Sequence, residues 1–195
     1  MTDNRIIRIL TTLCDFLILN ILWLVCSVPV ITAGASTTAL YSVMFKIIKK
    51  EEGYIIKSFL KAFRQNFKQS TIIWLLLIGT GCIVGYDWYI AVTYIKLNRQ
   101  IINILVAGIF LLWGWIFVFP LIACFENTIK NMIKNAFLIP ISQLPYAVII
   151  ILFDIVCIGG TLYNYRTLFY GSIFWSSIGG SLLVYVNSIF MSKIF

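Results

Sequence analysis

Asp154 stands near the middle of the apolar run Leu144 to Tyr163, a depth at which an ionisable side chain is costly and by default signals function. No Lys or Arg falls in the middle of any comparable run. The carboxyl must therefore be held protonated, be hydrogen-bonded to neutral partners, or be neutralised by a bound cation or a proton in transit. The corresponding structural reading is a protonated Asp capped by a Ser, Thr or Asn of a neighbouring helix. Asn20, Thr37 and Tyr41, with Thr32, Ser36 and Thr38 around them, offer polar groups across the first two apolar segments that a solute path near the midplane would use. Helices in lipid also use small and hydroxyl residues to pack closely, and structural glue is the stronger reading of that set. Asp15 and Asp87 sit nearer the ends of their runs, within reach of water and headgroups.

Other chemistry has little footing. There is no His, and Cys14, Cys26, Cys82, Cys124 and Cys157 lie inside apolar stretches without a CxxC. Neither a metal nor a cofactor is expected, and the thiols read as packing groups. No HExxH, phosphate loop or close pair of embedded carboxylates occurs, and the Ser and Thr hydroxyls lack an evident base. The chain is therefore expected not to be an enzyme.

The elements that must position these residues follow from composition. Of 195 residues 61% are hydrophobic and 11% charged, with a mean hydropathy of +0.98; soluble domains are about half apolar and about a quarter charged. Runs near the ~20 residues that cross a bilayer recur from end to end. We expect an all-α polytopic membrane helix bundle filling residues 1–195 as a single domain, with six spans at about 9–29, 31–48, 71–91, 101–125, 144–163 and 167–190.

The segment 31–48 is only weakly apolar, and charge arbitrates it. If it crosses, Arg5, Arg8, Lys46, Lys49, Lys50, Lys57, Lys61, Arg64, Lys68, Lys130, Lys134 and Lys193 share the cytoplasmic side. Only Lys96, Arg99 and Arg166 then lie outside, as the positive-inside rule requires. Both termini become cytoplasmic, and the first hairpin turns outside at Pro29 and Gly34. Tyr86, Trp88, Tyr89, Tyr94, Tyr163, Tyr165 and Tyr170 gather at the outer ends, where amphipathic rings settle among headgroups. Ala33-Gly34-Ala35 matches a leader cleavage pattern, but the run Ile9 to Ile31 is too long for a leader, and cleavage would put a strongly basic segment outside. An uncleaved first span is expected.

Before the third span, IIKSFLKAFRQNFKQ (Ile55 to Gln69) is amphipathic and basic. Ile56, Phe59, Leu60, Phe63 and Phe67 follow a helical period, with Lys57, Lys61, Arg64 and Lys68 on a neighbouring face. Such an elbow helix would lie in the membrane plane, its aromatic side in the acyl boundary and its cations on anionic headgroups. A net charge of +8 is also the footprint of nucleic-acid binders, but nucleic-acid binding needs no buried Phe face and is not expected. A weaker second elbow has Ile129, Met132, Ile133, Ala136 and Phe137 beside Lys130 and Lys134, and ends in a break or kink at Pro140. Ala62, Phe63 and Gln69 match Ala136, Phe137 and Gln143 in spacing, so the plan reads hairpin, elbow, hairpin, elbow, hairpin. Gly81 with Gly85, and Ser176 with Gly180, mark helix contacts within the chain or between copies in a homo-oligomer.

The stretch Asn20 to Trp74 resembles the YesL-like family of small bacterial membrane proteins. Asn20, Leu22 and Trp23 carry the likeness in the first span, Pro29, Thr32 and Gly34 at its turn, then Glu51, Glu52, Gly53 and the elbow residues Phe59, Ala62, Phe63, Asn66 and Phe67. The resemblance implies a companion of carbohydrate-uptake systems in Gram-positive bacteria; it supplies no reaction and no binding residues. The resulting expectation is an accessory protein of the cytoplasmic membrane whose elbows dock on a membrane transport complex. The rival is a small solute carrier or a substrate-binding membrane subunit using Asp154, Asn20, Thr37 and Tyr41. A third reading is a lipid or envelope-stress sensor with the basic elbow as its detector.

Overall fold

In lipid every backbone N–H and C=O must be satisfied within its own segment, which a helix achieves and an isolated strand does not. The computed structural model describes residues 3–51, 53–94 and 100–195, and among these no strand occurs. Glu52 of the resemblance and Lys96 and Arg99 of the charge argument lie outside the described residues. The order is α1 (Asp3–Ser27), a 3-10 turn (Val30–Thr32), α2 (Ala33–Ile48), α3 (Ile55–Tyr94), α4 (Gln100–Cys124), α5 (Ile129–Ser142), α6 (Leu144–Leu162), α7 (Tyr165–Phe174), a π-helical turn (Trp175–Gly179) and α8 (Gly180–Met191). Six helical stretches are long and apolar enough to cross a membrane, the last of them running through α7, the π turn and α8. The chain is an all-α, multi-pass bundle.

The least apolar of the six, α2, is also the most buried. It packs against α1, α3, α4 and α8, so protein rather than lipid surrounds it, and a helix so placed needs no lipophilic exterior. Its first hairpin differs from expectation in one residue. The chain turns at Val28 to Thr32, where the Thr32 hydroxyl donates to the carbonyls of Cys26 (2.6 Å) and Pro29 (2.8 Å). Gly34 is already helical, and a Cβ there would sit 2.6 Å from Trp74 Cβ and 2.9 Å from the Ser70 carbonyl oxygen. It is a close-approach glycine between α2 and α3, not a turn residue.

The first elbow is not a separate helix. Residues 55–69 are the opening turns of α3, which runs unbroken for 40 residues, about 60 Å at 1.5 Å per residue. No Gly or Pro occurs between Ile55 and Ile78, so nothing in the sequence stops the helix before it becomes the third span. The second elbow, α5, is a helix of its own, yet its apolar face is covered: Met132 and Ala136 are buried, and Phe137 meets Phe110 of α4 at 6.0 Å between ring centroids. Pro140 lies inside α5 and does not end it. The break comes three residues later at Gln143, whose backbone leaves the helical region (φ −126, ψ 48).

Candidate functional site

The buried carboxyl is built from three helices. α6 turns Ala147, Ile150 and Asp154 inward along one face, leaving Asp154 8% exposed. Asn187 lies on the inward face of α8 with Ser181, Val184, Ser188 and Met191, and its Nδ2 donates to Asp154 Oδ1 at 2.9 Å. Tyr41, buried on α2, brings its hydroxyl beside Asn187 and within electrostatic range of Asp154. No ion pair reaches Asp154 among the described residues. Of the ways to carry a charge-capable group at this depth, the chain uses hydrogen bonding to a neutral amide. One acceptor is left over: Asn187 Oδ1 is buried with no hydrogen-bond partner.

Asn20 and Thr37 do not join this cluster. Asn20 is fully buried against the π turn: its Nδ2 donates to the carbonyls of Trp175 (3.1 Å) and Ser176 (3.0 Å), and its Oδ1 accepts from the Ser181 N–H (3.0 Å). Residues 176 and 181 are five apart, the partners of a π ladder, so Asn20 bridges a rung left open. Gly180 allows this approach, since a Cβ there would lie 2.8 Å from Asn20 Oδ1 and 2.9 Å from the Trp23 ring. Ser181 and Asn187 are six residues apart, about 9 Å along α8, which separates the two polar groups. Thr37 donates to the Ala33 carbonyl (2.8 Å) and accepts from Trp23 Nε1 (3.2 Å). Ser36 donates to the Trp23 carbonyl (2.8 Å), and Thr38 pairs with Ser70 (2.9 Å). These hydroxyls lock α1, α2 and α3 together and line no common path.

Asn187 escaped the sequence reading. Its signal was a lone amide six residues beyond Ser181 in an otherwise apolar span, but which helix it faces depends on how α8 packs. The small pair at Ser176 and Gly180 serves a contact inside the chain, whereas a Cβ at Gly81 or Gly85 would meet nothing within 4 Å.

The opening turns of α3 present two different faces. Phe59 is fully buried, Ala62 and Ser70 are buried, and Phe63 is half-buried, stacked on Phe59 (6.4 Å between centroids) and edge-on to Phe67 (5.4 Å). Phe59 is thus core, unavailable to a partner or to lipid, because α3 lays it against its own bundle. The opposite face is open: Lys57, Lys61, Arg64 and Lys68 are exposed, with Ile56 (49%), Leu60 (40%) and Phe67 (40%) between them.

These features define an apolar helix bundle of membrane-protein character whose buried polar residues bond mostly between helices. Residues 16–88, about half of α1 with all of α2 and the greater part of α3, match the membrane-associated family described as "Protein of unknown function, DUF624". The match covers rather more than a third of the chain and contains the α2 hub. No curated protein and no solved structure matches.

Proposed function

We propose that the protein is a non-enzymatic accessory subunit of the bacterial cytoplasmic membrane, docking through the open face of α3 on a transport complex for carbohydrate uptake. The observation that carries this reading is that face: four cations interleaved with Ile56, Leu60 and Phe67. A 40-residue helix is about twice as long as the ~30 Å hydrocarbon layer needs, so its basic opening turns extend beyond the spans. Basic residues concentrate at this end, which the positive-inside rule assigns to the cytoplasm with both termini. The resemblance of 20–74 to YesL-like proteins supplies the carbohydrate association, and anionic headgroups cover whatever part of the face a partner leaves free. The open Gly81 and Gly85 suit contact between copies.

The test is purification from native membranes in mild detergent, with mass spectrometry of co-purifying proteins and small molecules. A stoichiometric transporter partner is expected, and it should be lost when Ile56, Leu60 and Phe67 are all replaced by Ser. Equal recovery of the partner with that variant, or no partner at all, refutes the proposal. The unspent Asn187 Oδ1 beside Asp154 and Tyr41 favours one second reading, a solute carrier coupled through Asp154. Under that reading a lone protein carries a reproducible solute, and Asp154→Asn abolishes its coupled movement with the fold intact; unchanged movement removes it.

A further inference from the structure

The ends of α2 and α4 and the opening turns of α3 enclose a cleft of about 660 Å³ that extends to Glu126 and Asn127 after α4. Its size falls in the range of small-ligand sites, about 300–1,000 Å³. Lys46, Lys49 and Lys61 line it from two helices, and none forms an ion pair among the described residues. These three ammonium groups supply donors for an oxyanion held in the cleft.

The lysines on α2 are not needed to close their own helix. The Lys49 N–H donates to the Phe45 carbonyl (3.0 Å), the Lys50 N–H to that of Ile47 (3.1 Å), and the Glu51 N–H to that of Lys46 (3.0 Å). That backbone closure satisfies the last carbonyls and leaves the ammonium groups free. Half-buried Asn66 and Gln69 and the hydroxyls of Ser42 and Ser58 add neutral polar groups to the walls, above a floor containing Phe45 and Ile122.

Glu51 and Glu126 also line the cleft, and they set the kind of anion. Three ammonium groups and two carboxylates leave one net positive charge, matching a single anionic group. Both carboxylates repel a second oxyanion in the cleft, whereas hydroxyl groups of a ligand donate to them, so the lining suits one anionic group that carries hydroxyls. α2 and α4 both stop beside this cleft, so it opens at the level where their apolar stretches end.

We propose that this cleft binds a small hydroxylated phosphate, either the headgroup of a glycerol-type anionic lipid or a free organic phosphate. The phosphate sits among Lys46, Lys49 and Lys61, and the hydroxyls meet Glu51, Glu126 and the amides. The cleft shares Lys61 with the open face of α3, but the inference requires no docked partner.

The test uses the full chain in detergent and in nanodiscs. Calorimetric titration with glycerol 3-phosphate, against glycerol, reads the soluble source. Native mass spectrometry after exchange into phosphatidylglycerol, against phosphatidylcholine, reads the lipid source. Saturable binding of one charged probe in preference to its control is expected, weakened at least tenfold in Lys46→Gln/Lys49→Gln/Lys61→Gln and unchanged in Lys130→Gln/Lys134→Gln, exposed cations of α5 outside both the cleft and the open face of α3. Lys49→Gln alone, expected to weaken binding about threefold, serves if the triple variant is not monodisperse. Absence of preference for both charged probes, undiminished binding by the cleft-lysine variants, or an equal loss in the Lys130/Lys134 variant each overturns the proposal.

Discussion

Replacing Asn20 by Leu removes the amide that bridges the open rung of the π turn while keeping the branched shape of its side chain. Three hydrogen bonds disappear, from Asn20 to Trp175 and Ser176 and from Ser181 to Asn20. Interhelical hydrogen bonds in bilayers contribute about 0.6 kcal/mol on average and at most about 1.7 kcal/mol, so the gross loss is roughly 2–5 kcal/mol. Direct closure of the Ser176 to Ser181 rung would recover about one bond, which points to the lower end, about 2 kcal/mol. Full relaxation to an α-helix is opposed. Dropping the extra residue of the π turn would rotate α8 by about 100° and carry Val184, Asn187 and Met191 off the core. For a chain of this length about 2 kcal/mol corresponds to a midpoint lowered by about 4–8 °C. Thermal unfolding in detergent, followed by circular dichroism, measures it. A shift under about 1 °C would show that the π turn stands without Asn20 and would refute the argument. Gly180→Ala presses on the same amide, so its cost should be markedly non-additive with Asn20→Leu.

Three further outcomes follow from the packing. Gly34→Ala drives a methyl into Trp74 and the Ser70 carbonyl and should lower stability by about 1–3 kcal/mol, read as a lower unfolding midpoint. Lys50→Gly should raise that midpoint by about 2–4 °C, because Lys50 holds φ 55 at the end of α2, where a side chain costs about 1 kcal/mol and glycine nothing. Phe59→Ala should cost about 3–5 kcal/mol by emptying a buried site, while Phe67→Ala, 40% exposed, should cost under about 1 kcal/mol; urea or SDS titration in mixed micelles separates them.

The six segments that, among the described residues, are helices long and apolar enough to cross a membrane were legible in the chain because helix formation in an apolar medium is a local requirement: each segment satisfies its own backbone. Charge placement even rescued residues 31–48, whose weak hydropathy reflects the protein wall around α2. The hydroxyls of Ser36, Thr37 and Thr38 were likewise readable as glue, since small polar residues at helical spacing are what close helix contacts require.

What belonged to the tertiary structure was the direction each face takes. Amphipathicity marked residues 55–69 correctly, but an apolar stripe is the same whether lipid or protein covers it; only the packing of α3 made Phe59 core and left Ile56, Leu60 and Phe67 open. Asn20, Thr37, Tyr41 and Asp154 looked like one polar set on composition. The fold divides them, giving Asp154 and Tyr41 a common partner in Asn187 and sending Asn20 to the π turn. Residues 33 and 161 positions apart, Asp154 with Asn187 and Asn20 with Ser181, carry no local signal of their meeting. The sequence by itself determined where the chain must be helical and apolar, a choice made within each segment. Only the bundle decided which polar groups pair, because that depends on the rotation of each helix against its neighbours, and rotation is set by contacts distant in the chain.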